Sequence, residues 1–197
     1  SLIPDKINII KENKIQLCEE LNIPKDAILI LSVGELNANK NHKIVIEILP
    51  ELPNNVHYLM CGDGQLKEQH ERLAKKLHVS DRLHFLGYRK DVIKIMKSCD
   101  IFVFPSKREG LSVALMEAMA CGLPCVVSKI RGNEDLIENE KGGYCVDLEN
   151  ECFNIYINKI LELDLSRSMA AFNYNKVSNY SIKKVNLKMR EIYERNE

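Results

Sequence analysis

The sequence predicts an α/β fold: a doubly wound, Rossmann-like parallel sheet of about six strands with C-terminal helices. Two observations predict it. Short continuous apolar runs recur along the 197-residue chain, as expected of strands buried on both faces. Segments with helical spacing lie between them, and strand–helix–strand order requires crossover connections and therefore parallel pairing.

The elements follow in order. Residues 1–11 are mixed, contain Pro4 and read as a linker. Residues 13–21 (NKIQLCEEL) fit one amphipathic helix that stops at Asn22 and Pro24. The first strand is 27–33 (AILILSV), followed by a helix over 41–52. A second strand, 56–61, leads to a helix over 66–77 with Leu66, Leu73 and Leu77 on one stripe. The third strand, 83–86, precedes a helix over 92–98. The fourth, 101–104, stops at Pro105, and the helix over 112–120 ends at Gly122-Leu123-Pro124. A fifth strand (125–127), a short helix (133–137) and a sixth strand (143–146) complete the alternation. The tail from 151 to 194 reads as helical, with breaks near Asp164 and at 178–181. The chain thus divides into a linker and first helix over 1–26 and a Rossmann-like domain over 27–197.

Lys plus Arg and Asp plus Glu each number 28, so the formal net charge is zero. That excludes a broad basic field for a nucleic-acid backbone or an anionic membrane, and any anionic ligand must be held locally. The seven cysteines include no C-x-x-C pair and sit mostly in apolar runs. They read as small buried thiols of a reducing, cytoplasmic compartment, not as disulfides or metal ligands. No apolar run approaches the ~20 residues of a membrane span, and the N-terminus does not resemble a signal peptide. Asn179-Tyr180-Ser181 matches a glycosylation sequon, a chance match in that compartment.

Parallel sheets bind ligands beyond the carboxyl ends of their strands, so the chemistry is sought in the loops there. After the first strand, Gly34 and Glu35 lead to Lys40 and His42 beside a helix start, a place that favours anions. After the second, Gly62-Asp63-Gly64 could let a base or ribose approach the chain. After the third, Tyr88 and Arg89 follow Gly87 and could frame a flat base. Each of these is, by itself, also compatible with an ordinary turn. The loop after Pro105 is more specific. Glu109-Gly110-Leu111-Ser112 opens a helix whose free N–H groups suit a diphosphate. Glu117 lies five residues beyond Ser112, roughly 7.5 Å along the axis. Two carboxylates at such places could accept hydrogen bonds from sugar hydroxyls.

Glu109-x7-Glu117 within PSKREGLSVALMEAMACGLPCVVS resembles the E-x7-E signature of group 1 (family 4) retaining glycosyltransferases. VGELNANKNH, CGDGQLKEQHERLAKKL and VSDRLHFLGYRKDVIKIMKSCDIFVFPS match the family pattern in order and spacing, and the likeness covers roughly residues 20–195. The resemblance implies the C-terminal, donor-binding half of a two-domain GT-B architecture, with the acceptor-binding half absent from the chain. It implies a nucleotide sugar, UDP- or GDP-linked, as co-substrate, a saccharide or lipid-linked acceptor, and no metal or other cofactor. A peripheral place at the inner membrane face follows for the full-length protein. By the same resemblance, Lys40 and the Gly110 and Leu111 amides hold the diphosphate, and Glu117 takes the ribose hydroxyls. Glu109 touches the hexose near its anomeric carbon, with Lys40 and Glu109 the catalytic pair, and Arg89 and its neighbours border the base. One departure stands out: Gly34-Glu35 occupies the place where the family often has Gly-Arg, and Lys107 or Arg108 would have to supply the missing cation. Two other readings stay open: a nucleotide-sugar epimerase half, or a non-catalytic nucleotide-binding or interaction module, which Glu35 favours.

Overall fold

The computed structural model describes residues 14–162 and 166–178. The expected linker over 1–11, the break near Asp164, the sequon at Asn179 and the closing helix over 181–194 lie outside the described residues. Within them the alternation is α1 (Lys14–Glu20), β1 (Ile28–Val33), α2 (Lys43–Ile48), β2 (Val56–Cys61), α3 (Lys67–Lys76), β3 (Leu83–Gly87), α4 (Val92–Ser98) and β4 (Ile101–Phe104). It continues with α5 (Val113–Ala120), β5 (Cys125–Ser128), α6 (Arg131–Glu134), β6 (Gly143–Val146), α7 (Asn150–Glu162) and α8 (Ser166–Val177).

All six strands pair in parallel in the order β3-β2-β1-β4-β5-β6. This is the doubly wound arrangement predicted, with its topological switch between β1 and β4. Successive strand side chains alternate between two cores. Leu29, Leu31, Leu59, Phe102 and Phe104 pack on one face against Leu17 of α1, Met96 of α4 and Leu115 and Met119 of α5. Ile30, Tyr58, Met60 and Val103 pack on the other against Ile46 of α2, Ala74 of α3 and Phe153 and Ile157 of α7. Because both faces are buried, the strands read as unbroken apolar runs in sequence.

The boundaries differ from expectation for identifiable reasons. The helix expected over 41–52 is shorter. Asn41 takes a left-handed φ of 53°, and Pro50, which has no N–H, tightens the end into a 3-10 turn over Leu49–Glu51. The helix expected over 133–137 begins earlier, at Arg131, and its last turn is carried by Leu136 and Ile137 amides on the Asn133 carbonyl. Asn22, with φ 53°, ends α1 as predicted, and the Ile23 amide closes back onto the Cys18 carbonyl at 2.8 Å. All seven cysteines are free, and burial pushes the Cys61 and Cys121 thiols up to about 12.

One buried side chain ties α8 to the loops that lead into β5 and β6. Asn173 of α8, fully buried, donates through Nδ2 to the Leu123 carbonyl at 2.8 Å and the Gly142 carbonyl at 2.7 Å. Asn173→Ala would remove two buried hydrogen bonds, leaving the Gly142 carbonyl with the Cys125 amide and the Leu123 carbonyl with the Cys125 thiol, and is expected to cost about 1–3 kcal/mol in urea unfolding. A cost near zero would mean that the clamp does not hold α8.

Candidate functional site

The switch between β1 and β4 sets their following loops side by side. Lys107 N–H donates to the Asn39 carbonyl at 2.8 Å, and Asn39 Nδ2 donates to the Arg108 carbonyl at 2.9 Å. Across this seam Lys40 Nζ meets Glu109 Oε1 at 2.7 Å. The ammonium also stands 4.7 Å from the centroid of the Phe104 ring, close enough for a cation–π attraction. Asn37 shapes the loop that carries it: its Oδ1 accepts the Asn39 and Lys40 amides, each at 3.0 Å. The Lys40 and Glu109 side chains keep only 20% and 14% of their exposure, so both charges are partly withdrawn from water.

The helix beyond Glu109 begins at Val113, one residue later than predicted. Ser112 is its N-cap: it has extended backbone, is buried, and its hydroxyl accepts the Leu115 amide at 3.3 Å. Its hydroxyl oxygen is thereby committed to the helix, while its N–H stays among the donors expected to face a ligand. The amides of Gly110, Leu111 and Ser112 carry no backbone hydrogen bond among the described residues, and Leu111 is 55% exposed. These donors remain available at the positive end of the helix. The loop is held from behind. A Cβ at Gly132 would overlap the Gly110 carbonyl oxygen, and Ser128 Oγ donates to the Ser106 carbonyl. Asn133, fully buried, in turn donates to Ser128 O at 2.9 Å.

The ends of β1, β2 and β3 form a second part of the site, a mostly apolar cavity of about 400 Å³. Gly34, Glu35, Gly62, Tyr88 and Arg89 line it together with Val33 and Val92. Gly62, at φ 143°, comes so close to Gly34 that a Cβ would overlap the Gly34 carbonyl oxygen. Tyr88 is 83% exposed at this cavity. Gly64 is not among the lining residues; it packs against the backbone of Leu36. Arg89 lines the cavity, but its guanidinium is engaged elsewhere. Nε and Nη2 donate to the two Asp91 carboxylate oxygens, each at 2.8 Å, and Nη1 to Glu20 Oε1 at 2.6 Å. Arg89 thus ties α1 to the cavity wall. Glu35 is exposed and accepts from Asn37 Nδ2 at 2.9 Å. His42, expected beside Lys40 at an anion site, instead turns into the core and is 1% exposed.

Glu117 is partly buried on α5. Burial alone pushes its pKa up, with no hydrogen-bond or ion-pair partner among the described residues. The folded state therefore holds this proton more tightly than the unfolded chain. Stability contributed by the protonated carboxyl is complete below the ordinary value of 4.5 and is lost as pH rises through the raised folded value. Glu117→Gln, which stays neutral, should melt like the wild type near pH 4 and at a higher temperature at pH 7. Equal melting at both values would contradict a desolvated carboxylate.

Residues 13–177 match the family model described as glycosyl transferases group 1. The chain is 31% identical over 175 residues to the UDP-Gal:alpha-D-GlcNAc-diphosphoundecaprenol alpha-1,3-galactosyltransferase of Escherichia coli, covering 83% of this chain and 44% of that protein. It superposes with a TM-score of 0.85 and 24% identity on HepE of Anabaena in complex with UDP and glucose, over 95% of this chain and 54% of that one. The C-terminal domain of the group 1 protein LpcC from Francisella tularensis aligns with a TM-score of 0.80 and 19% identity, over 92% of this chain and all of that domain. This chain spans about half the length of the full-length relatives named here. No helix among the described residues is long and apolar enough to cross a membrane. The chain belongs to the group 1 glycosyltransferases.

Proposed function

We propose that this chain is the donor-binding half of a retaining glycosyltransferase. The full protein would move a hexosyl group from a nucleotide-diphosphate sugar to a saccharide or lipid-linked acceptor during polysaccharide or glycoconjugate synthesis. The observation that carries this reading is the Lys40–Glu109 contact beside the unpartnered amides of residues 110–112. Lys40 has three N–H donors, so it can keep Glu109 and still donate to a phosphate oxygen. In this reading it and the helix start stabilise the diphosphate as it leaves, without a metal. Glu109, held by Lys40, lies beside the anomeric carbon as positive charge develops there. Glu117 takes the ribose hydroxyls, whose donated hydrogen bonds favour the ionised carboxylate that burial disfavours. The base occupies the cavity between Gly34, Gly62 and Tyr88.

UDP is the first nucleotide to test. The E. coli relative is named for UDP-Gal, and the Anabaena neighbour is bound to UDP. The E. coli relative's diphosphoundecaprenol substrate also supports a lipid-linked acceptor, met at the inner membrane face. Acceptor-side groups are to be supplied by the half that this chain lacks, so the isolated chain is expected to bind donor and transfer nothing. Calorimetric titration with UDP and GDP is the test. Lys40→Ala and Glu117→Ala should each weaken the bound nucleotide about 10- to 100-fold, the range of a lost hydrogen bond to a charged group. Wild-type affinity in both variants would refute the proposed site.

A further inference from the structure

His42 belongs to a buried relay that no ligand contact explains. Its Nδ1 lies 3.0 Å from Tyr58 Oη, Tyr58 Oη donates to Ser32 Oγ at 2.8 Å, and Ser32 Oγ donates to the Val103 carbonyl at 2.6 Å. His42, Tyr58 and Ser32 are all but completely buried. The hydrogens can be assigned by elimination. A carbonyl only accepts, so Ser32 donates to Val103. Tyr58 must then donate to Ser32, and its oxygen can only accept from His42. The imidazole therefore carries its proton on Nδ1. Burial first, then the neighbouring His70, lowers the His42 pKa to about 3, so the ring is neutral at neutral pH.

The two ends of this relay are the two supports of Lys40. His42 ends the loop on which Lys40 stands, immediately after Asn41 with its left-handed backbone. Val103 precedes Phe104, whose ring lies under the ammonium. Tyr58 of β2 and Ser32 of β1 span the distance between them. His70 of α3 meets the imidazole edge-on, with centroids 6.3 Å apart, and leaves the ring little room to turn. A shift of His42 would move the loop relative to β4 and alter where Lys40 Nζ stands with respect to Glu109. We propose that His42 is a positioning residue, which fixes the Lys40 ammonium over Phe104 and against Glu109 through its Nδ1–H bond to Tyr58. Its consequence for nucleotide binding rests on the proposed role of Lys40; the positioning itself does not.

The first measurement therefore uses no nucleotide. The chain is acetylated with the N-hydroxysuccinimide ester of acetate, and each lysine is followed by mass spectrometry. Lys40, ion-paired and little exposed, should react slowly in the wild type. His42→Leu and Tyr58→Phe should raise its rate several-fold. His42→Asn, whose amide places a donor where Nδ1 stood, should react nearly as the wild type does. Lys14, which bonds Asp100 at 2.6 Å at the amino end of β1 and β4, reports on the whole fold and should not change. An unaltered Lys40 rate in His42→Leu and Tyr58→Phe, or Lys40 and Lys14 rising together in Tyr58→Phe, overturns the proposal. The second measurement titrates UDP. Tyr58→Phe should weaken binding in the wild-type background and have no further effect on Lys40→Ala. An equal loss in both backgrounds overturns action through Lys40. A Lys40→Ala variant that binds UDP normally counts against the diphosphate site and leaves the acetylation result standing.

Discussion

Lys40 and Glu109 are 69 residues apart in the chain, yet their side chains touch at 2.7 Å because β1 and β4 are neighbours at the centre of the sheet. The contact is not there for stability. Withdrawing both groups from water offsets much of their attraction, so a pair this sheltered adds little net stability. What the arrangement provides is a cation and a carboxylate of fixed position at the carboxyl edge of a parallel sheet, beside amides with no other partner among the described residues. A charge held in a partly dry place acts more strongly on a ligand than one in open solvent, and a donor already oriented needs no reorganisation when charge develops.

The surrounding residues serve that fixity. Asn37 shapes the Lys40 loop, Asn39 and Lys107 tie it to the Glu109 loop, and Gly132 lets a third loop press against Gly110. The strand ends are joined in the same way: the Gly34 amide bonds the Cys61 carbonyl at 2.9 Å, and the Gly62 amide bonds the Gly87 carbonyl at 2.8 Å. Arg89 extends the connections outward. With three of its N–H donors on Asp91 and Glu20, it joins the wall of the apolar cavity to α1. With the guanidinium held by Asp91 and Glu20, base recognition in the proposed site would rest mainly on the cavity's shape, its backbone groups and the exposed ring of Tyr88.

Strands and helices were legible because apolar periodicity is local, and the strands are buried on both faces. Their edges were less so. Pro50 shortened α2, and Ser112 proved to be a cap, although Ser before an apolar helix is itself a cap signal. That Lys40 and Glu109 share one site follows from family likeness alone, and their direct contact is visible only in the fold. Phe104, Gly132 and Asn37 carry no such signal in the sequence: they look like a strand residue, a loop glycine and a loop amide until tertiary contacts give them partners. His42 and Gly64 show the converse. Each stands next to ligand-like residues in sequence, and the fold turns each toward protein instead.

A crystal structure of this chain with UDP is the most direct test. The account predicts phosphate oxygens at about 2.7–3.2 Å from Lys40 Nζ and from amides of residues 110–112, with Glu117 on the ribose hydroxyls. A nucleotide ordered away from the carboxyl edge of β1 and β4, or a diphosphate that ignores both Lys40 and the helix start, would contradict it.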